Sequence, residues 1–126
     1  MEPSALRILV VDDNVDAADM LGELLEAMGH KVVVVHDGAK GLAQFDAFTP
    51  DLAILDLGLP EIDGFTLATR VRSEPRFQSI PLIALSGYTQ PADVERSHAA
   101  GFTYHLGKPA DFPRLTEIIE THRARM

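Results

Sequence analysis

Apolar residues recur along this chain in two alternating rhythms. Short β-branched or aliphatic runs stand at Ile8–Val11, Val32–Val35, Leu52–Leu55, Pro81–Leu85 and Thr103–Leu106. Runs of this length without polar alternation predict strands buried on both faces. Between them lie longer stretches with apolar positions three and four apart. Val15–Met28 places Ala18, Leu21, Leu25 and Met28 on one face, with Leu24 beside them. Ala39–Phe48 carries Leu42, Phe45 and Phe48, and Gly64–Arg72 carries Phe65, Ala68 and Val71. Phe112–Arg123 carries Leu115, Ile118 and Ile119. That spacing predicts helices lying on a sheet. Ala92–Ala100 is the exception, offering only Val94 and alanines among Asp93, Glu95, Arg96, Ser97 and His98. A helix there has little to bury and is expected to be among the more mobile elements.

Local chemistry supports the same boundaries. Asp13 or Asn14 suits the cap of the first helix, and Gly29 stands where a left-handed terminator belongs. Asp37-Gly38 and Asp63-Gly64 signal the starts of helices two and three. Pro91 and Pro113 fit first helical turns, where a missing N–H costs nothing. Pro75-Arg76-Phe77 reads as a loop after helix three, with Phe77 tucked inward. Strand and helix thus alternate five times, which implies parallel strands joined by right-handed crossovers. The expected class is α/β: one doubly wound, five-stranded domain.

Composition narrows the function. The 126 residues include 19 acidic and 11 basic side chains, a formal charge of −8. That balance lacks the basic footprint of a direct nucleic-acid binder and repels anionic lipid. With no cysteine there is no disulfide, thiol catalysis or zinc–thiolate site. No apolar run approaches the length of a membrane span, so no membrane insertion is expected. The first residues lack a signal-peptide pattern, and a cytoplasmic location is expected. The chain reads as a single domain over 1–126, with its core at about 6–124 and no output domain.

In an open α/β sheet, ligands bind beyond the carboxyl ends of the strands. The residues there are Asp12, Asp13 and Asn14 after strand one, His36, Asp37 and Gly38 after strand two, and Asp56, Leu57 and Gly58 after strand three. Ser86 and Gly87 follow strand four, and Gly107, Lys108 and Pro109 follow strand five. Three carboxylates, a hydroxyl and an ammonium converge on one rim. Crowded carboxylates repel, and Lys108 offsets only one of them. A divalent cation offsets two more, and an all-oxygen set favours Mg²⁺, or Mn²⁺ in its place, over zinc or copper. Asp56 is then free to act as a nucleophile towards phosphorus, with Lys108 and Ser86 placed to meet the phosphoryl oxygens. Each part alone has a duller explanation. Asp12, Asp13 and Asn14 suit helix capping, Ser86 is a capping residue, Asp56 a turn residue and Lys108 a solvated lysine. The constellation is far more specific than its members.

The segments Val-Val-Asp-Asp-Asn (10–14), Asp-Leu-Gly-Leu-Pro-Glu-Ile-Asp-Gly (56–64), Leu-Ser-Gly (85–87) and Gly-Lys-Pro (107–109) stand in an order and spacing that resembles the receiver domains of two-component response regulators. The resemblance covers essentially the whole chain. It implies a flavodoxin-like (βα)5 fold with strand order 2-1-3-4-5. It implies Asp56 as phosphoacceptor, Asp13 as principal metal ligand, Asp12 as a ligand directly or through water, and the Gly58 carbonyl as a further ligand. Ser86 would be the switch hydroxyl, Gly87 would follow it at the phosphate, and Lys108 would be the phosphate-contacting cation. Lys108 and Pro109 would be joined by a cis peptide.

One position departs from the family. Receivers often carry Tyr or Phe three residues before the lysine, and rotation of that ring reports phosphorylation. Here that residue is His105, preceded by Tyr104, so these two are the candidate switch residues. The combination of Gly58, Gly87-Tyr88 and His105-Leu106 is similar to receivers attached to hybrid sensor kinases. The implied partner is a histidine kinase or a histidine phosphotransfer domain, and the implied state a monomer or weak dimer. The expected activity is a phospho-switch that contributes to its own phosphorylation and dephosphorylation without being an enzyme in its own right.

Three alternatives share parts of this pattern. A haloacid-type phosphatase also uses a strand-end aspartate, but needs a second acid two residues later, where Gly58 stands. A nucleotide-binding domain needs a glycine-rich turn where Asp12-Asp13-Asn14 stands. A phosphate-independent interaction module on this fold typically lacks one acidic or lysine residue of the set. His30, His36, His98 and His122 show no ligand spacing and read as surface or boundary residues.

Overall fold

A computed structural model describes residues 5–125. Five strands alternate with five helices: β1 (Arg7–Val11), α1 (Val15–Ala27), β2 (Lys31–Val35), α2 (Gly38–Ala47), β3 (Leu52–Asp56), α3 (Gly64–Arg72), β4 (Leu82–Ser86), α4 (Pro91–Ala100), β5 (Tyr104–Gly107) and α5 (Phe112–Ala124). The sheet order is β2-β1-β3-β4-β5, and every pairing is parallel. Strand and helix limits fall within a residue of those read from the pattern. The Pro75–Phe77 loop is a single 3-10 turn whose Phe77 is buried, as the sequence suggests.

The helix starts follow from short-range hydrogen bonds. Asn14 Oδ1 accepts from the Ala17 N–H at 3.1 Å, Asp37 Oδ1 from Lys40 at 2.7 Å and Asp63 Oδ1 from Thr66 at 2.8 Å. Each satisfies one of the amides that a helix start leaves without a partner. Asp111 does the same for α5, accepting from Arg114 at 3.1 Å.

Side-chain alternation along the strands splits the core into two layers. Ile8, Val10, Leu52, Ile54, Ile83, Leu85 and Leu106 pack with Leu21 and Leu25 of α1 and Leu115, Ile118 and Ile119 of α5. Leu9, Val11, Ala53, Leu55, Leu82 and Ala84 face the other way, against Phe45 of α2, Leu67 and Val71 of α3, and Phe77. β1, β3 and β4 are buried on both sides. β2 is not: its valines are only half-buried, because the strand lies at the sheet edge. Helix α4 buries a single residue, Ser97, in keeping with its polar sequence.

His30 is neither the surface nor the boundary residue that its sequence position suggests. Its ring is buried, and Nδ1 accepts the Leu6 N–H at 3.0 Å. The backbone can only donate there, so the neutral ring carries its proton on Nε2. Nε2 is buried without a partner among the described residues. Burial lowers the His30 pKa, with Glu120 opposing and Arg123 assisting. The unfolded chain therefore binds the proton more readily than the folded one. The neutral ring's contribution is fully present above the unfolded imidazole's pKa and is lost as pH falls from there through the lower folded pKa. Urea unfolding of wild type and His30→Asn at pH 7.5 and pH 5 should show a steeper loss of stability on acidification in the wild type. Equal slopes would mean that His30 makes no such contribution.

Candidate functional site

The carboxyl ends of β1, β3, β4 and β5 meet at one rim. Asp12 and Asp13 follow β1, Asp56 ends β3, Ser86 ends β4 and Lys108 follows β5. Sheet register fixes their spacing: Val11 lies beside Leu55, Asp56 beside Leu85 and Ser86 beside Gly107. One carboxylate oxygen from each of Asp12, Asp13 and Asp56 lies within 4.8 Å of the others. Asp12 and Asp56 are buried and Asp13 is exposed. The Lys108 ammonium lies 3.1 Å from Asp56 Oδ1 and 3.3 Å from Asp12 Oδ2. The Lys108–Pro109 peptide bond is cis.

The two buried carboxylates are held by backbone as well as by the lysine. Asp12 Oδ1 accepts the Asn14 N–H at 3.0 Å, and Asp56 Oδ1 accepts the Gly58 N–H at 3.0 Å. Asp56 Oδ2 receives no hydrogen bond from the described residues. Burial, followed by the nearby Asp56 charge, raises the Asp12 pKa against the pull of the Asn14 amide and Lys108. Burial works against the Lys108 charge, but hydrogen bonding and attraction from Asp56, then Asp12, outweigh it and raise the Lys108 pKa. The ammonium thus stays charged, and it formally offsets one of the three carboxylates. Closely spaced oxygen donors with surplus charge fit a hard divalent cation such as Mg²⁺.

A cleft of about 390 Å³ opens over Asp56, lined also by Gly58, Ser86, Gly87 and Lys108. Its outer wall comes from residues that the strand-end argument did not single out: Phe65 of α3, Tyr88, and Asp93 and Arg96 of α4. A methyl group at Gly87 would meet nothing within 4 Å, and one at Gly58 would lie 3.7 Å from Asp56 Oδ1. Ser86 Oγ accepts the Tyr88 N–H at 2.9 Å, and the Ser86 carbonyl accepts the Lys108 N–H at 2.9 Å.

The two candidate switch residues point to opposite faces of the sheet. Tyr104 packs in the α5 layer, and its hydroxyl lies 2.8 Å from His122 Nε2. His105 faces α4: its Nδ1 lies 2.9 Å from Ser97 Oγ and its Nε2 3.0 Å from the Tyr88 carbonyl. That carbonyl can only accept, so Nε2 carries a hydrogen. Tyr104 therefore stands apart from the α4 side of the site.

Comparison with known proteins identifies the family. Residues 8–120 match the family model for the response regulator receiver domain. The chain belongs to that family. Similar proteins include an uncharacterized 14.6 kDa protein of Leptolyngbya boryana, 36% identical over 117 residues, with 93% of this chain and 89% of that protein covered. The DNA-binding dual master transcriptional regulator RpaA of Synechocystis is 38% identical over 109 residues, 86% of this chain but only 45% of RpaA. Among solved structures, the receiver domain of sensor histidine kinase PA1611 from Pseudomonas aeruginosa superposes with a TM-score of 0.85 at 26% identity, covering 96% of this chain and 99% of that one. That receiver was crystallised with a magnesium ion coordinated in its active-site cleft. The strand order found here is the flavodoxin-like order of the family. Receivers are modules of two-component signalling, and none of the described helices of this one is long and apolar enough to cross a membrane.

Proposed function

We propose that this receiver accepts a phosphoryl group on Asp56, in a Mg²⁺-dependent reaction, from the phosphohistidine of a histidine kinase or histidine phosphotransfer domain. The observation that carries the reading is the state of the Asp56 carboxylate. One oxygen is pinned by Lys108 and the Gly58 amide, while the other stands free beneath an open cleft. In the transfer, that free oxygen forms a bond to phosphorus as the phosphorus–nitrogen bond of the donor breaks. The leaving imidazole keeps the electron pair and takes a proton from water. Lys108, the Ser86 hydroxyl and the Gly87 amide are the groups that meet the phosphoryl oxygens. Asp12, Asp13, Asp56 and the Gly58 carbonyl would hold the metal ion, which supplies positive charge against the transferring group.

A continuous set of contacts supports a route from this site to α4. Ser86 Oγ holds the Tyr88 amide, the Tyr88 carbonyl meets His105, and His105 meets the buried Ser97 of α4. If the Ser86 hydroxyl turns towards a phosphoryl group, it releases Tyr88 and loosens the His105 link. The sparse burial of α4 makes that helix the cheapest element to move. His105 then takes the place of the family's aromatic switch, and the face of α4, β5 and α5 carries the signal. Exposed Met20 and Leu24 of α1, beside Pro109 and Phe112, give the phosphodonor an apolar surface next to the cleft. The combination of Gly58, Gly87-Tyr88 and His105-Leu106 and the likeness to the PA1611 receiver support a setting like that of hybrid sensor kinases.

Intact-mass measurement after incubation with Mg²⁺ and acetyl phosphate tests the reading. One labile phosphoryl adduct is expected, and chelation of the metal should abolish it. A stable adduct, or none, would overturn the assignment. Steady turnover of varied phosphate esters would point instead to a phosphatase, although Gly58 offers no general acid for one.

A further inference from the structure

The cleft over Asp56 has a second cation in its wall. Arg96 lies on α4, and its guanidinium carbon sits 4.0 Å from the centre of the Phe65 ring on α3. This is cation–π geometry, which holds the side chain against the wall of the cleft. Among the described residues no carboxylate forms an ion pair with Arg96. Asp93 shares the wall, but its carboxylate is turned to the Gln90 N–H at 3.1 Å. Lys108, by contrast, is already paired with Asp56 and Asp12. The cleft therefore contains one committed cation at its floor and one uncommitted cation at its mouth.

We propose that Arg96 is a phosphodonor-binding residue: it leaves Phe65 to contact the anionic phosphoryl group while that group lies in the cleft. The inference rests on phosphorylation at Asp56 and adds a specificity element to it. An approaching phosphoryl group meets the repulsion of Asp12, Asp13 and Asp56, and Lys108 with one divalent ion only balances that cluster. A guanidinium at the mouth supplies the extra attraction, and its planar fork suits two phosphoryl oxygens at once. With acetyl phosphate, Asp56 forms the new oxygen–phosphorus bond as the bond to the acetate oxygen breaks, and acetate leaves with the electron pair. Arg96 takes no part in bond making; it positions the group that moves. Once drawn to the phosphoryl group it no longer stacks on Phe65, which removes one of the few ties between α4 and α3.

Arg96 is exposed, so its variants should fold. Initial rates of adduct formation would be measured over a range of acetyl phosphate at fixed Mg²⁺, at low and high salt, for wild type, Arg96→Gln and Arg96→Lys. At low donor concentration Arg96→Gln should be slower by roughly threefold to tenfold. The loss should lie in the donor concentration needed for half-maximal rate rather than in the maximal rate. High salt should shrink it, because the contact is partly exposed. Arg96→Lys should recover much of the rate. Mg²⁺ affinity should not weaken in Arg96→Gln, since the lost charge is positive. Equal donor dependence in wild type and Arg96→Gln overturns the proposal, as does an equal loss in Arg96→Lys and Arg96→Gln that salt does not change. Labelled wild type with unaffected variants would leave Asp56 as acceptor and remove Arg96 alone. Unlabelled wild type would remove both.

Discussion

Asp56→Asn should carry no labile phosphoryl group after incubation with acetyl phosphate and Mg²⁺, while remaining folded. The amide keeps the shape of the carboxylate and an oxygen that still accepts from the Gly58 N–H and Lys108, the two contacts that pin the side chain. It lacks the anionic oxygen that attacks phosphorus, so labelling should fall to background rather than merely slow. The substitution also removes one of three crowded carboxylates. Repulsion from Asp56 is one cause of the raised Asp12 pKa, which should move back towards the ordinary range in the variant. Without metal, Asp56→Asn should therefore be at least as stable as wild type. The stabilisation that Mg²⁺ confers should shrink, because a ligand that binds only the folded state stabilises it according to its affinity. Intact mass and urea unfolding with and without Mg²⁺ read both effects. An adduct that persists in Asp56→Asn would place the acceptor elsewhere in the cluster, with Asp12 and Asp13 next to be replaced.

Much of this molecule is legible in the sequence because the causes are local. Asn14, Asp37 and Asp63 cap their helices through bonds to amides three residues away, a distance at which residue type alone carries the signal. The site residues are legible for a different reason. Parallel strands all deliver their last residues to one rim, so position after a strand is enough to gather Asp12, Asp56, Ser86 and Lys108. What stays hidden depends on which element lies beside which. The valine run of β2 looks as buried as any other strand, yet the strand is at an edge. His30 looks like an ordinary polar residue after a helix, yet it takes the Leu6 amide 24 residues away. Arg96 finds Phe65 across 31 residues of chain, through the packing of α4 on α3, which no local pattern records. The separation of Tyr104 from His105 sits between these cases. Strand alternation puts Tyr104 on the face of Leu106, so its distance from α4 follows from parity alone.

Gly64→Ala should cost about 1–3 kcal/mol of stability and slow Asp56 phosphorylation by at least about tenfold. Gly64 opens α3 at the point where the chain returns from the site, and its N–H donates to the Leu57 carbonyl at 3.2 Å. A methyl group there would lie 2.5 Å from the Asp56 carbonyl oxygen and 2.7 Å from the Leu57 Cα. Both are backbone atoms, so relief requires moving either the start of α3 or the end of β3. The second moves the phosphoacceptor itself. A helix normally gains from alanine in place of glycine, but that gain is below about 1 kcal/mol and does not offset an overlap of this size. Gly22→Ala is the matched control. Its methyl group would lie 2.6 Å from the Val34 Cγ2, a side-chain atom of β2, and neither residue lines the cleft. It should also destabilise the protein while leaving the labelling rate close to wild type. The contrast separates distortion at Asp56 from general loss of stability. If Gly64→Ala is labelled as fast as Gly22→Ala at equal fraction folded, the close approach of α3 does not govern the position of Asp56.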